Sequence, residues 1–352
     1  SWARISSPRF RVPEPFSSPR LFVTDAYSPD RPFSPPRVLR HGHVQSLLAS
    51  LKLRRALMGH RADSLETDSR EMVVDCGDGV RLLALETPAR GRRDRLAILI
   101  HGWEGSARSV YLVSAAACLR EAGYDVVRLN LRDHGDSHHL NEGLFHSNRT
   151  AEVSGAVATI VRRYENHAAF LGGFSLGGNF ALRVAACTPR EIALAGVCAV
   201  CPVLDPPKTL LALEEGWFVY REYFLGKWRR SLHRKAECHP KLYDFGDLRR
   251  FRTLTAMTRF FVAGYTGYPD LESYLNGYAI TGDALSELHA RSYLLAAADD
   301  PVIPAADLER LASPAALAVE VSSSGGHCGF VERLSAPSWA DRRMLAFFEA
   351  VS

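Results

Sequence analysis

The stretch Gly173-Phe174-Ser175-Leu176-Gly177-Gly178-Asn179 constrains this chain more than any other. A short apolar run, Ala168 to Gly172, precedes it, and a helix of small and apolar residues, Asn179 to Ala186, follows. Ser175 therefore falls at a strand-to-helix turn, the context that a G-x-S-x-G nucleophile elbow requires. So tight a turn strains the serine backbone, and glycine on either flank removes Cβ atoms that would clash with strand and helix. The turn holds Oγ above the sheet edge, beside the positive end of the helix dipole. Taken alone, the pattern also fits a glycine-rich turn with a satisfied hydroxyl, so its partners decide between the two.

The chain around it has an ordinary globular composition. Of 352 residues, 47% are hydrophobic and 23% charged, enough for a large core. The length allows one α/β domain with an insertion, or two domains. A net charge of +4 is too mild to argue for nucleic acid, and no nucleic-acid motif is present. No apolar run approaches the roughly 20 residues that span a bilayer. Seven cysteines without a framework of spacings point to reduced thiols and a cytoplasmic home. Cys198-x-x-Cys201 has redox or zinc spacing, but it lies in the apolar run Ala195 to Val203 without a second matching pair. Buried structural cysteines are the expectation there.

Residues 1–40 hold eight of the 19 prolines and read as an extended arm or tail. Arg40 to Leu48 and the basic Lys52-Leu53-Arg54-Arg55 read as a short helix or turn docked on the body. Gly77-Asp78-Gly79 sits inside a hairpin from Glu71 to Glu86. Strands follow at Arg95–Ile100, Asp125–Leu129, the elbow strand, Ala195–Cys201, Arg291–Ala298 and Leu317–Val321, alternating with helices. That order predicts an α/β fold with a mostly parallel, doubly wound sheet. Between Pro202 and Leu288 the chain turns aromatic and basic, with Arg229-Arg230 and Arg249-Arg250, and reads as an inserted helical cap. The expected organisation is an arm over 1–40, core over 41–201, cap over 202–288 and core again over 289–352.

A serine hydroxyl needs a base to take its proton and a third group to orient that base. Behind such an elbow the chain order is serine, then acid, then histidine. Asp299-Asp300-Pro301 ends the Tyr293–Ala298 strand, and Gly325-Gly326-His327-Cys328-Gly329-Phe330 follows the last strand. Both emerge at carboxyl ends of parallel strands, on the edge where open α/β sheets bind ligands. The expected relay is Ser175, His327 and Asp300, with Asp299 the second candidate and otherwise a helix-capping carboxylate. Two backbone N–H donors should hold an oxyanion: that of Leu176, after the nucleophile, and that of Trp103, in the loop His101-Gly102-Trp103 after the third strand. The His101 side chain is expected to orient that loop.

With these motifs in hand, the chain resembles the YheT-like family of α/β-hydrolases, relatives of medium-chain ester and phospholipid hydrolases. The resemblance rests on His101-Gly102-Trp103-Glu104-Gly105-Ser106, on the elbow, on Ala298-Asp299-Asp300-Pro301 and on Gly325 to Phe330. His43-Val44-Gln45-Ser46-Leu47 is similar to the family's amino-terminal His-x-Gln-Thr-Leu signature. Together they cover roughly residues 40 to 350. Two departures stand out. Arg132-Asp133-His134-Gly135-Asp136 replaces an Arg-Gly-Cys-x-Gly pattern, and Trp103 stands where Leu or Phe is common, which should reshape the acyl pocket.

The expected function is hydrolysis of carboxylic esters with short- to medium-chain acyl groups through an acyl-enzyme. Acyl transfer to an alcohol, or a binding protein without turnover, are the alternatives. No cofactor or metal is expected. His134, His138, His139 and His146 crowd one loop with Asp133, Asp136 and Glu142, but at no zinc spacing. The expected partner is a small acyl ester, with a peripheral contact to a lipid surface through the basic clusters as a further option.

Overall fold

The structure, a computed structural model, describes residues 31–352 except 92–93 and 188–191. Most of the proline-rich arm expected over 1–40 lies outside the described residues. Its last stretch packs against the body, where Phe33 meets the rings of Phe330 and Trp339 at 5.6 and 5.7 Å.

Three short helices come first: α1 (Gly42–Ser50), α2 (Lys52–Met58) and α3 (His60–Thr67). The hairpin β1 (Arg70–Asp75) and β2 (Arg81–Thr87) follows, its turn carried by left-handed Gly77, Asp78 and Gly79. Next come β3 (Arg95–Ile100), α4 (Val110–Glu121), β4 (Asp125–Leu129) and α5 (Thr150–Arg163). Then β5 (Ala168–Phe174), α6 (Leu176–Cys187) and β6 (Leu194–Val200) complete the first half. The helices α7 (Pro206–Glu215), α8 (Phe218–Cys238), α9 (Leu254–Tyr265) and α10 (Leu271–Asn276) form the insertion before β7 (Ser292–Ala297), β8 (Leu317–Ser322) and α11 (Trp339–Ala350).

The eight strands form one sheet in the order β1-β2-β4-β3-β5-β6-β7-β8. The hairpin pairs antiparallel, and every pair from β4 to β8 is parallel. This is the mostly parallel, doubly wound arrangement that the alternating pattern predicts. The central strands are apolar on both faces because both are covered. Leu96, Ile98 and Ile100 of β3 face the core shared with α5, α6 and the insertion, and Ala97 and Leu99 face that of α4 and α11.

β4 and β5, the next two strands after β3, flank it on opposite sides. The winding direction reverses there, and in open α/β sheets such a reversal leaves a crevice at the carboxyl ends of the strands. The loops after β3 and β5 both open into it. Local signals set the insertion helices: Asp205 caps α7 ahead of Pro206, Thr253 caps α9 and Asp270 caps α10.

Candidate active site

β5 runs straight into α6 through Ser175, whose φ of 53° is left-handed. A side chain rarely takes that conformation without support from its surroundings. Here the Ser175 N–H donates to the Val200 carbonyl at 2.9 Å, and the Ser175 carbonyl accepts from Asn179 N–H at 3.0 Å. The flanking glycines are demanded by contact: a Cβ on Gly173 would overlap the Gly177 carbonyl, and one on Gly177 would overlap that of Ile100. The Asn179 amide, fully buried, donates to the carbonyls of Val203 and Tyr278, each at 2.8 Å, and so fixes the chain beyond β6 against α6.

The loops after β7 and β8 bring Asp300 and His327 to the serine. His327 Nε2 lies 2.9 Å from Ser175 Oγ, and His327 Nδ1 lies 2.9 Å from Asp300 Oδ2. The other Asp300 oxygen accepts from the N–H groups of Val302 and Ile303 at 2.8 and 3.0 Å. These bonds brace the turn after β7; the helical turn that follows, Ala305–Arg310, starts at Pro304 with no side-chain cap, so neither aspartate does the capping expected of Asp299. Asp299 instead accepts the Gly326 N–H at 2.8 Å and tethers the histidine loop. Burial works against a charged imidazole at His327, but the Asp300 charge, the neighbouring Cys328 and the Asp300 hydrogen bond outweigh it and raise its pKa to about 9.

A second cradle for that loop comes from the opposite end of the chain. Ser46 Oγ of α1 accepts the His327 N–H at 2.8 Å and donates to the Gly42 carbonyl at 2.7 Å. Gln45, fully buried, pairs with Val331 as a strand neighbour would: its amide donates to the Val331 carbonyl at 3.0 Å and its oxygen accepts the Val331 N–H at 2.7 Å. The fit is close enough that a Cβ on Gly326, itself at φ 55°, would overlap the Gly42 carbonyl. His43 Nδ1 meets the Tyr220 hydroxyl at 2.9 Å, which joins α1 to α8 as well. Sequence reasoning found this segment as a signature and as a short helix docked on the body, which α1 is. It gave no structural role to Gln45, Ser46 or Tyr220, and nothing in the local pattern reveals one.

The loop after β3 completes the crevice. His101 is buried, its Nδ1 donating to the Gly102 carbonyl at 2.7 Å and its Nε2 accepting Leu131 N–H at 3.1 Å. Both ring nitrogens are thus engaged in fixing the loop, and burial holds its pKa well below the ordinary histidine value. The Tyr111 hydroxyl accepts Gly102 N–H at 2.9 Å. Among the described residues, the N–H groups of Trp103 and Leu176 have no hydrogen-bond partner, and both residues line the cleft that holds Ser175 and His327. Leu210, Leu213, Phe224, Trp228 and Phe261 of the insertion wall that cleft, whose roughly 780 Å³ is partly open to solvent. The Trp103 ring stacks on Phe224 at 5.1 Å.

A sequence model of the alpha/beta hydrolase fold matches residues 97–334. The chain belongs to that family. A curated relative, "Putative esterase YheT" of Escherichia coli (strain K12), is 23% identical over 89% of this chain and 91% of its own length. This bears out the resemblance to YheT-like hydrolases. Among solved structures, the Pyrococcus furiosus esterase Pf2001 is similar with a TM-score of 0.55 at 14% identity, covering 82% of this chain and 94% of that one. The 2,6-dihydroxy-pseudo-oxynicotine hydrolase is similar with a TM-score of 0.52 at 18% identity, covering 80% and 67%. At such identities these two structures speak for the fold alone.

In this hydrolase the variant loop after β4 is a structural clamp. Its buried Asp133 pairs with Lys235 of α8 at 2.7 Å, and the same ammonium donates to the carbonyls of Asn141 and Gly143 at 2.6 and 3.1 Å. Arg132 donates twice to Glu152, at 2.6 and 3.0 Å. The loop histidines are tied to their surroundings too. His134 Nε2 accepts Glu104 N–H at 3.1 Å, and burial lowers its pKa to about 4. His138 Nε2 lies 3.0 Å from Ser231 Oγ. Of the basic pairs in the insertion, Arg229 donates to the Phe251 carbonyl and Arg250 lies 4.8 Å from the centre of the Phe251 ring. Cys198 and Cys201 are both buried free thiols.

Proposed function

We propose that this hydrolase cleaves carboxylic esters of short- to medium-chain acyl groups by the serine acyl-enzyme route. The observation that carries the reading is the unbroken run Ser175 Oγ, His327, Asp300, with both contacts at 2.9 Å, on the floor of an apolar cleft. Ser175 Oγ attacks the acyl carbon while His327 Nε2 takes its proton. The tetrahedral oxyanion is held by the unpaired N–H groups of Trp103 and Leu176, where losing one such donor typically costs about 3 kcal/mol of barrier. His327 returns the proton to the leaving alcohol, and Asp300 stabilises the imidazolium in between. Water then repeats the attack on the acyl-Ser175 ester and releases the acid.

The esterase names of the curated relative and of the Pyrococcus furiosus neighbour support this chemistry. The apolar insertion walls support an aliphatic acyl group. Exposed Trp217, Phe218 and Tyr223, the last beside Phe224 at the cleft, support a peripheral lipid contact during substrate uptake. All seven cysteines are free, which supports a reducing compartment such as the cytoplasm. Among the described residues no helix is long and apolar enough to cross a membrane.

The test is hydrolysis of p-nitrophenyl esters from acetate to palmitate by wild type and Ser175→Ala. Turnover by wild type alone supports the reading, and the optimum length sizes the cleft. Equal turnover by both proteins removes Ser175 as nucleophile, and inactivity of wild type on the whole series removes the ester reading.

A further inference from the structure

The Cys198-x-x-Cys201 spacing draws attention to the wrong pair of thiols. Three residues of strand span about 10 Å, which keeps Cys198 away from Cys201. The thiol next to Cys201 is Cys328, 127 positions away, whose N–H points at Cys201 Sγ over 3.5 Å. Cys201 ends the β6 segment and Cys328 follows His327 directly. Two sulfurs and an imidazole nitrogen of Cys201, Cys328 and His327 all lie within 4.8 Å of one another. Both thiols are free and nearly inaccessible; Cys201 Sγ also donates to the Gly326 carbonyl and Cys328 Sγ to the Val200 carbonyl, each at 3.7 Å.

Two soft sulfurs and an imidazole are a donor set for Zn²⁺ and its heavier relatives, not for Mg²⁺ or Ca²⁺. Zinc–sulfur and zinc–nitrogen bonds of about 2.3 and 2.0 Å place tetrahedral ligand atoms roughly 3.5–4 Å apart. The most distant pair in the cluster therefore needs to close by at most about 0.8–1.3 Å to hold an ion. A small cavity beside Cys201 is lined also by Pro202 and Asp300.

We propose that Cys201, Cys328 and His327 form an inhibitory site for a thiophilic divalent cation, Zn²⁺ or Cd²⁺. Each thiol releases its proton to solvent on ligation and gives its sulfur lone pair to the ion, and no electron is transferred. Whichever ring nitrogen of His327 ligates the ion, one of its two present contacts is lost, Nε2 to Ser175 or Nδ1 to Asp300. The inhibitory consequence rests on His327 being the base, but binding of the ion does not.

Two readouts test this on the full chain, held reduced by a phosphine. In the first, ester hydrolysis by wild type falls as Zn²⁺ is added and returns with EDTA. Cys201→Ser and Cys328→Ser, each read against its own basal rate, need at least about 10-fold more Zn²⁺ for the same fractional inhibition, since even a residue behind a metal ligand is worth that much. In the second, Cd²⁺ gives wild type and the inactive Ser175→Ala an ultraviolet thiolate charge-transfer band that both cysteine variants lack. The Ser175→Ala band keeps the site testable even if the ester reading fails. Cys201→Ala and Cys328→Ala, with thermal melting of every variant, exclude misfolding as the cause of a lost band. Inhibition of the cysteine variants at the wild-type Zn²⁺ concentration would overturn the proposal. So would an undiminished Cd²⁺ band in them, or inhibition reversed by more phosphine but not by EDTA.

Discussion

Replacing Gln45 by Leu tests whether the amino-terminal helix holds the histidine loop in place. The side chains are close in volume, so little cavity cost enters. What changes is hydrogen bonding: Gln45 now serves the Val331 N–H at 2.7 Å, the Val331 carbonyl at 3.0 Å and the Leu39 carbonyl at 2.6 Å. Val331 is fully buried, so leucine leaves two interior backbone groups without partners. Each such group costs about 1–3 kcal/mol, for a total of roughly 2–6 kcal/mol. Against a typical domain stability of about 5–15 kcal/mol, that is a large share. Urea unfolding, with the midpoint and slope fitted together, reads it directly. Because Ser46 of the same helix seats the His327 N–H, kcat should fall about 10- to 100-fold at nearly unchanged KM, the usual cost of a misplaced catalytic group. A stability loss below about 1 kcal/mol with full activity would refute the reasoning, since buried unpaired groups cannot be that inexpensive.

Asp300→Asn should lower kcat by about 10⁴-fold, as loss of the orienting carboxylate does in serine triads, while Asp299→Asn, whose amide oxygen still accepts Gly326 N–H, should stay within a few-fold. With the His327 pKa raised to about 9, the neutral base is scarce at pH 7, so kcat/KM should climb with pH through about 9. Asp300→Asn should move that midpoint downwards, and a wild-type midpoint below 6.5 would contradict the assigned cause. The same shift has the opposite sign for stability: its contribution is complete below the unfolded histidine value of about 6.5 and lost as pH rises through the folded value, which thermal melting across that window checks. Lys235→Met should destabilise the chain by about 3–5 kcal/mol, because Asp133 is left buried without its cation, and restoring stability with Asp133→Asn in the same chain would confirm the cause by double-mutant cycle.

Much of the architecture could be read from the sequence because its signals are local. Unbroken apolar runs such as Leu96 to Ile100 mark strands covered on both faces, and chain order places Ser175, Asp300 and His327 on one sheet edge. The structure brings these three together. What stayed hidden depends on contacts between distant positions. Nothing near Gln45 or Ser46 announces Val331 or His327. Lys235 sits in a basic helix and looks like any solvated lysine, yet tertiary packing buries it among carbonyls. The adjacent aspartates show the limit at finer scale: both follow β7 immediately, and only the geometry of the turn decides which carboxylate meets His327 and which meets Gly326. Cysteine spacing misleads for the same reason, since the thiol beside Cys201 comes from the far end of the chain.

The bond between Ser46 and His327 spans 281 positions and has a consequence for synthesis. A ribosome delivers α1 and must then add more than 270 further residues before the histidine loop exists. Domains gain structure as they emerge, so the sheet and the serine turn have time to form early. The base does not. On the proposed mechanism, Ser175 has no base to take its proton until the loop carrying His327 has been made and closes onto α1. On that mechanism, termination anywhere before residue 327 is expected to give a silent product rather than a partly active one.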